Sequence, residues 1–168
     1  VAPGGTYSAR LGNSGVGRQA EKLIYTIPVV DASNSLFIYK YAVVFQNPLG
    51  HTADDQPRFG LKILNSNGQI VNPTCGQYEV VANATLPGFQ TCTITTNAPV
   101  RYKNWTTVGI DLTPYIGQQI SLVFATGDCD LGGHYGYAYL DAYCTALRIN
   151  TNFCAGSSVV TLTAPIGF

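Results

Sequence analysis

Charge is scarce in this chain. Nine basic and nine acidic residues make up 11% of it and cancel to a formal net charge of zero. Soluble domains usually carry roughly 25% charged residues. Without clustered Lys and Arg there is no electrostatic footprint for phosphate, so no nucleic-acid partner is expected. The polybasic patch of a protein drawn to anionic lipid is missing as well. Apolar runs such as "YAVVF" and "SLVFA" fall far short of the roughly 20 residues that span a bilayer. No long stretch shows helical periodicity. There is no CxxC pair, which excludes a zinc ribbon or a thioredoxin-like motif. No Gly-x-Ser-x-Gly elbow is present for serine chemistry. Hydrolysis of sugars needs two carboxyl groups facing each other across a cleft. Asp54, Asp55, Glu79 and Asp141 supply carboxyls, but nothing selects a pair, and no enzyme activity is expected. Methionine is absent and the chain starts at Val1, as expected of a processed product or an excised fragment.

What is present is period-two alternation. The 168 residues suffice for one domain with a real core. In "SLFIYKYAVVFQ", Phe37, Tyr39, Tyr41, Val43 and Phe45 share one face. Leu36, Ile38, Lys40, Ala42 and Val44 share the other. Both faces are largely apolar, which predicts a central strand covered on both sides. "AEKLIYTIPV", "RFGLKIL", "QYEVVA", "WTTVGIDL", "QQISLVFAT" and "HYGYAYLDAYCTALRI" read as further strands. "DASN", "NSNG" and "TPYIG" supply the turns between them. Residues 83–99 read as loop with one short strand. Eight or nine such strands predict an all-β, two-sheet jelly-roll sandwich over residues 1–149. "SVVTLTAP" reads as one more strand with nothing to pair it. Residues 150–168 are therefore expected to be a linker and the first strand of a following Ig-like domain.

Five cysteines are scattered: Cys75, Cys92, Cys129, Cys144 and Cys154. Their spacing and the low-charge, Thr- and Tyr-rich composition suit disulfides in an extracellular protein. The expected pairs are Cys75–Cys92, closing the loop around "NATLPGFQ", and Cys129–Cys144, tying the "GDCDLGG" loop to the last strand. Cys154 would pair beyond Phe168.

Polar candidates concentrate in "GDCDLGGHYGYAYLDAYC". Asp128, Asp130 and His134 are spaced as possible ligands of a hard cation or as a solvated turn. Asp141 falls inside a strand on the tyrosine face. A carboxylate there needs a partner: Arg10, Arg58 or Lys40, or a Ca²⁺ ion shared with Glu21. Asp54 and Asp55 sit in an interstrand loop, where binding groups are common. Tyr102, Trp105, Tyr115, Tyr135, Tyr137 and Tyr139 are candidates for glycan contact. Tyrosines at spacing two are more often core or sheet face than a platform, and Trp105, opening a strand, is expected in the core.

Three stretches carry a resemblance. They are "YSARLGNSGVGRQAEKLIYTIPV", "GHTADDQPRFGLKILNSNGQIV" and "RYKNWTTVGIDLTPYIGQQISLVFATGDCDLGGHYGYAYLDAYC". Together they resemble a jelly-roll domain of very large secreted surface proteins of Bacteroidetes, over about residues 5 to 149. Such proteins often carry polycystic-kidney-disease-type or other Ig-like repeats. Many are gliding-motility-associated and end in a type IX secretion sorting domain. The tail "FCAGSSVVTLTAPIGF" looks like the entry to an Ig-like repeat. More loosely, "DLTPYIGQQISLVFATGDCDLGGHYGYAYLD" resembles the closing strands of galactose-binding-like, MAM-like and carbohydrate-binding jelly rolls. In several of those an Asp on the last strand holds a structural Ca²⁺, a role that falls by position on Asp141, with Glu21 a weaker match. The resemblance implies a cell-surface, non-catalytic adhesin module. Its expected partners are a glycan or surface ligand, neighbouring Ig-like domains, and secretion or motility machinery of the outer membrane. A carbohydrate-binding module of a secreted enzyme is the alternative.

Overall fold

The alternating stretches pair into two antiparallel sheets, seen in a computed structural model that describes residues 1–72, 76–83, 87–92, 98–152, 159 and 161–165. The strands are β1 (Ala9–Leu11), β2 (Ala20–Ile27), β3 (Leu36–Gln46), β4 (Arg58–Asn65), β5 (Gln77–Val81) and β6 (Phe89–Cys92). Next come β7 (Val100–Asp111), β8 (Ile120–Gly127), β9 (Gly136–Thr145), β10 (Asn150–Asn152) and β11 (Thr161–Thr163). A five-stranded sheet has the order β1-β9-β3-β7-β6, and a four-stranded sheet the order β2-β8-β4-β5. The chain crosses between the sheets at almost every step, which is the winding of a jelly roll.

The core lies between the sheets and is built from the predicted faces. Phe37, Tyr39, Tyr41, Val43 and Phe45 point inward from β3, and Phe59, Leu61 and Ile63 from β4. Phe124 of β8 sits at the centre, 5.3 Å from the ring of Tyr39 and 6.4 Å from that of Phe59. At one side the hydroxyls of Tyr41 and Tyr78 meet at 3.0 Å. Burial holds the pKa of Tyr39 and of Tyr78 well above the ordinary tyrosine range. The Tyr41 partner adds to the effect at Tyr78.

β3 is central, as its two apolar faces predict, but among the described residues no layer of strands covers its outer side. Leu36 and Ile38 are buried there, whereas Lys40, Ala42 and Val44 are only half-buried. Residues 2–5 cover part of this side. They form a turn in which the N–H of Gly5 donates to the carbonyl of Ala2 at 2.9 Å. Pro3 leads the turn and Gly4, at φ +77°, occupies the left-handed position that glycine tolerates. Lys40 Nζ donates to the carbonyl of Pro3 at 2.6 Å.

Two expectations need correction. "SVVTLTAP" does not stand alone, because β11 pairs with β10 as a two-stranded ribbon that joins neither sheet. The strand opened by Trp105 begins five residues earlier, at Val100, and its register slips on the way. Tyr41 faces Thr106 and Val43 faces Lys103, so Asn104 and Trp105 together oppose the single residue Ala42. That is a β-bulge.

Candidate glycan-contact face

The bulge decides which way the tryptophan points. In a strict period of two, consecutive residues face opposite sides of a sheet. Lys103 and Thr106 are paired with the inward-facing Val43 and Tyr41. The extra residue between them leaves both Asn104 and Trp105 on the outer side. Trp105 is therefore not in the core. Its indole lies half-buried on the solvent face, 6.4 Å from the ring of Tyr139.

Tyr139 reaches the same face from β9. Its cross-strand partner is Ala42 of β3, whose small side chain leaves room between the rings. Tyr137 follows at 5.9 Å, perpendicular to Tyr139, and Tyr135 stacks on Tyr137 at 6.0 Å. Arg10 of β1 lies 4.4 Å above the ring of Tyr137, close enough for a cation–π contact. One half of the aromatic row is thus engaged with itself and with Arg10.

The other half borders a groove of about 430 Å³. Ala42 and Val44 form its floor. Trp105 and Tyr139 stand on one side and Tyr102 on the other, with Asn104 exposed at the rim. The hydroxyl of Tyr102 donates to Gln90 Oε1 at 2.7 Å, so that ring is fixed by its neighbour on β6. Rings around a small apolar floor, with the Asn104 amide at the edge, suit a ligand with one apolar face and several hydroxyls.

No family model and no curated protein matches the chain. A solved structure similar to it is TmCBM61 in complex with β-1,4-galactotriose, at a TM-score of 0.43 and 10% identity, covering 83% of this chain and 72% of that one.

A second depression, of about 730 Å³, lies on the outer side of the four-stranded sheet. Gly60, Ala125 and Gly127 line its floor, and Arg58, Lys62, Glu79 and Asp130 its rim. Arg58 Nη1 and Glu79 Oε1 are 3.8 Å apart. Tyr78 is the aromatic residue of its lining, and the hydroxyl of that ring is turned to Tyr41 in the core.

The predicted site residues scatter. Tyr102 is on the aromatic groove. Tyr115 lies in the short turn Thr113–Tyr115 and packs against the core. Asp54 and Asp55 sit in the loop before β4. The carbonyl of Asp54 accepts from the guanidinium of Arg58, and the Asp55 carboxylate accepts from the Thr52 hydroxyl at 2.6 Å. Asp128 is buried, with its carboxylate taken by the N–H groups of Gln19 and Gly136, each at 3.1 Å. Asp130 lies on the rim of the charged depression, and His134 turns toward Cys129. The Asp128, Asp130 and His134 grouping is therefore not assembled.

Asp141 and Glu21 do not come together either. Asp141 is on the outer side of the five-stranded sheet, directly across from Lys40. It packs so tightly on Gly5 that a Cβ there would lie 2.5 Å from Oδ2. Glu21 is on β2 in the other sheet, where its carboxylate accepts from the Thr126 hydroxyl at 3.3 Å. Packed sheets lie about 10 Å apart, so one ion cannot bind both. Of the basic residues considered for Asp141, Lys40 is its cross-strand neighbour, but Lys40 Nζ donates to the Pro3 carbonyl, and Arg58 pairs with Glu79 instead.

The Cys129–Cys144 disulfide is not formed: both are free thiols. Cys129 lies before β9, and Cys144 lies eight residues beyond its first residue, about 26 Å along an extended strand. A disulfide needs Cα atoms within about 7 Å. Cys144 instead faces Tyr25. Cys92 is an exposed thiol at the end of β6. Its expected partner Cys75 lies outside the described residues, as does Cys154.

Proposed function

We propose that this chain is a non-catalytic glycan-contact module of a cell-surface protein, with the groove between Tyr102, Trp105 and Tyr139 as the sugar site. One observation carries the reading. A β-bulge places the chain's single tryptophan on the solvent face, beside a tyrosine and over a small apolar floor. Pyranose rings present a C–H-rich face that stacks on aromatic rings, and their hydroxyls seek polar partners such as the Asn104 amide. A tryptophan held there without a ligand leaves apolar surface in water.

The wider setting is an adhesin of the gliding-motility-associated type, exported to the cell surface. It is supported by the resemblance over residues 5 to 149 and by the low charge. The missing Cys129–Cys144 bond removes one reason for an extracellular location, so the setting rests on those two supports.

The test is a polysaccharide and oligosaccharide screen with the intact chain, followed by calorimetry on any hit. Binding is expected for at least one neutral glycan. Trp105→Ala is expected to raise Kd by roughly 10- to 100-fold, as for an aromatic hot spot, with little change in thermal stability. A glycan that binds equally well to the Trp105→Ala chain would place the site elsewhere. No binding to any glycan would leave the module a spacer.

A further inference from the structure

At the end of the sandwich where β8 runs into β9, two loops bring together His51, Cys129 and His134. We propose that these three side chains form a binding site for a borderline-soft transition metal ion of the zinc class. The donor atoms lie within 4.8 Å of one another. Cys129 Sγ and His134 Nδ1 are already 3.3 Å apart. A tetrahedral zinc with its usual bond lengths sets neighbouring donors about 3.3–3.6 Å apart. One pair is thus at the working distance, and His51 must move by about an ångström. His51 and His134 meet edge to face at 5.1 Å between centroids, which leaves their nitrogens space to converge.

Two further observations point to a ligand at this place. His51 Nδ1 is buried and has no hydrogen-bond partner, a condition that calls for a water, an ion or another explanation. Cys129 is fully buried, and its sulfur accepts from the backbone N–H of Gly133 at 3.4 Å. An N–H aimed at sulfur stabilises a thiolate and orients it, as outer partners do around metal ligands. The burial also disfavours a nucleophilic role, since a substrate would have to reach a sulfur with no exposed surface.

The loops are held in place without the ion. The N–H of Cys129 donates to the carbonyl of His134 at 3.0 Å, and that of Gly132 to the carbonyl of Cys129 at 2.9 Å. The N–H of Asp130 donates to the carbonyl of Asp55 at 3.2 Å, joining the two loops. Two imidazoles and a thiolate select zinc-class ions over calcium or magnesium, which prefer oxygen. With three protein donors, the fourth position is left to water. The ion would pin the loop before β4 to the loop before β9.

The test uses the whole chain, reduced and freed of metal, titrated with zinc chloride alone by calorimetry. One equivalent is expected to bind with Kd below about 1 µM. Cobalt(II) is expected to give a thiolate-to-metal charge-transfer band. Cys129→Ala should abolish the band and weaken zinc at least 100-fold, and His51→Gln, on a half-buried loop, should weaken it at least 10-fold while the chain stays folded. A chain carrying Cys75→Ser, Cys92→Ser, Cys144→Ala and Cys154→Ser should keep both the band and the affinity. Zinc binding weaker than about 100 µM would overturn the proposal. So would a band that survives Cys129→Ala and disappears with the other four cysteines, or affinity unchanged in His51→Gln. None of these outcomes depends on glycan binding.

Discussion

On the outer side of the five-stranded sheet, rings from β7 and β9 stand over Ala42 and Val44. On the outer side of the four-stranded sheet, glycine and alanine form the floor and charged side chains the rim. Both surfaces come from strands with the same alternation, and both cover the same core. They differ because of what projects from the second residue of each pair, and because one strand slips register. Without the bulge in β7, Trp105 and Asn104 would point to opposite sides, and the five-stranded face would lose one wall of its groove. The contrast teaches that in a sandwich the solvent faces are where chemistry is chosen, while the inner faces are constrained to be apolar.

The largest expected effect removes both faces together. Phe124→Ala empties the centre of the core, between Tyr39 and Phe59. It is expected to cost about 3–5 kcal/mol, read as a lower midpoint in urea unfolding. If only one sheet loosened, seen as loss of amide protection confined to one set of strands, the two faces would not share one cooperative unit.

Next comes the split between the faces. Trp105→Ala should weaken glycan binding as described above and leave stability nearly unchanged. The matching change on the charged side is Lys62→Ala together with Glu79→Gln, which breaks the exposed Arg58–Glu79 ion pair. It should leave glycan affinity within about twofold and shift stability by no more than about 1 kcal/mol, since exposed pairs contribute little. Equal losses of affinity on both faces would dissolve the distinction.

A smaller effect probes the seam between the sheets. The folded state holds Tyr39 and Tyr78 protonated by burial, with pKa values raised above the ordinary 10.0. A raised pKa contributes stability that is fully present below the unfolded value. It is lost as pH climbs through and beyond it. Stability should therefore be flat to about pH 9 and fall above pH 10. Tyrosinate absorbance should show the exposed tyrosines titrating before unfolding and these two with it. Tyr39→Phe should flatten part of that fall. If it does not, the seam is wetter than the buried hydroxyls indicate.

Much of the architecture is legible along the chain. β3 and β9 pair without a register shift from Leu36 to Phe45, and the turn at "NSNG" closes with the N–H of Gly68 donating to the carbonyl of Asn65 at 3.0 Å. β1 was not legible, because "ARL" is too short to show a period and gains its place only by pairing with β9. The site was less legible. Tyr102 is on the groove, but Trp105 reads as core when the strand is taken to begin with it. Cys129 and Cys144 look like a pair that ties the "GDCDLGG" loop to the last strand, but the extended β9 between them keeps them apart. His51 gives no signal at all, since it lies 78 residues before Cys129.

The division follows from the range of the forces involved. Alternation, turn residues and apolar content act between neighbours in sequence, and by themselves they determined a two-layer β-sandwich with an aromatic core and little charge. Register, the bulge opposite Ala42, the placing of Asp141 across from Lys40, and the convergence of His51 on Cys129 and His134 depend on which distant strands pair and where they slip. Those were decided only in the tertiary structure, because a shift of one residue in pairing reverses the face of every side chain that follows it.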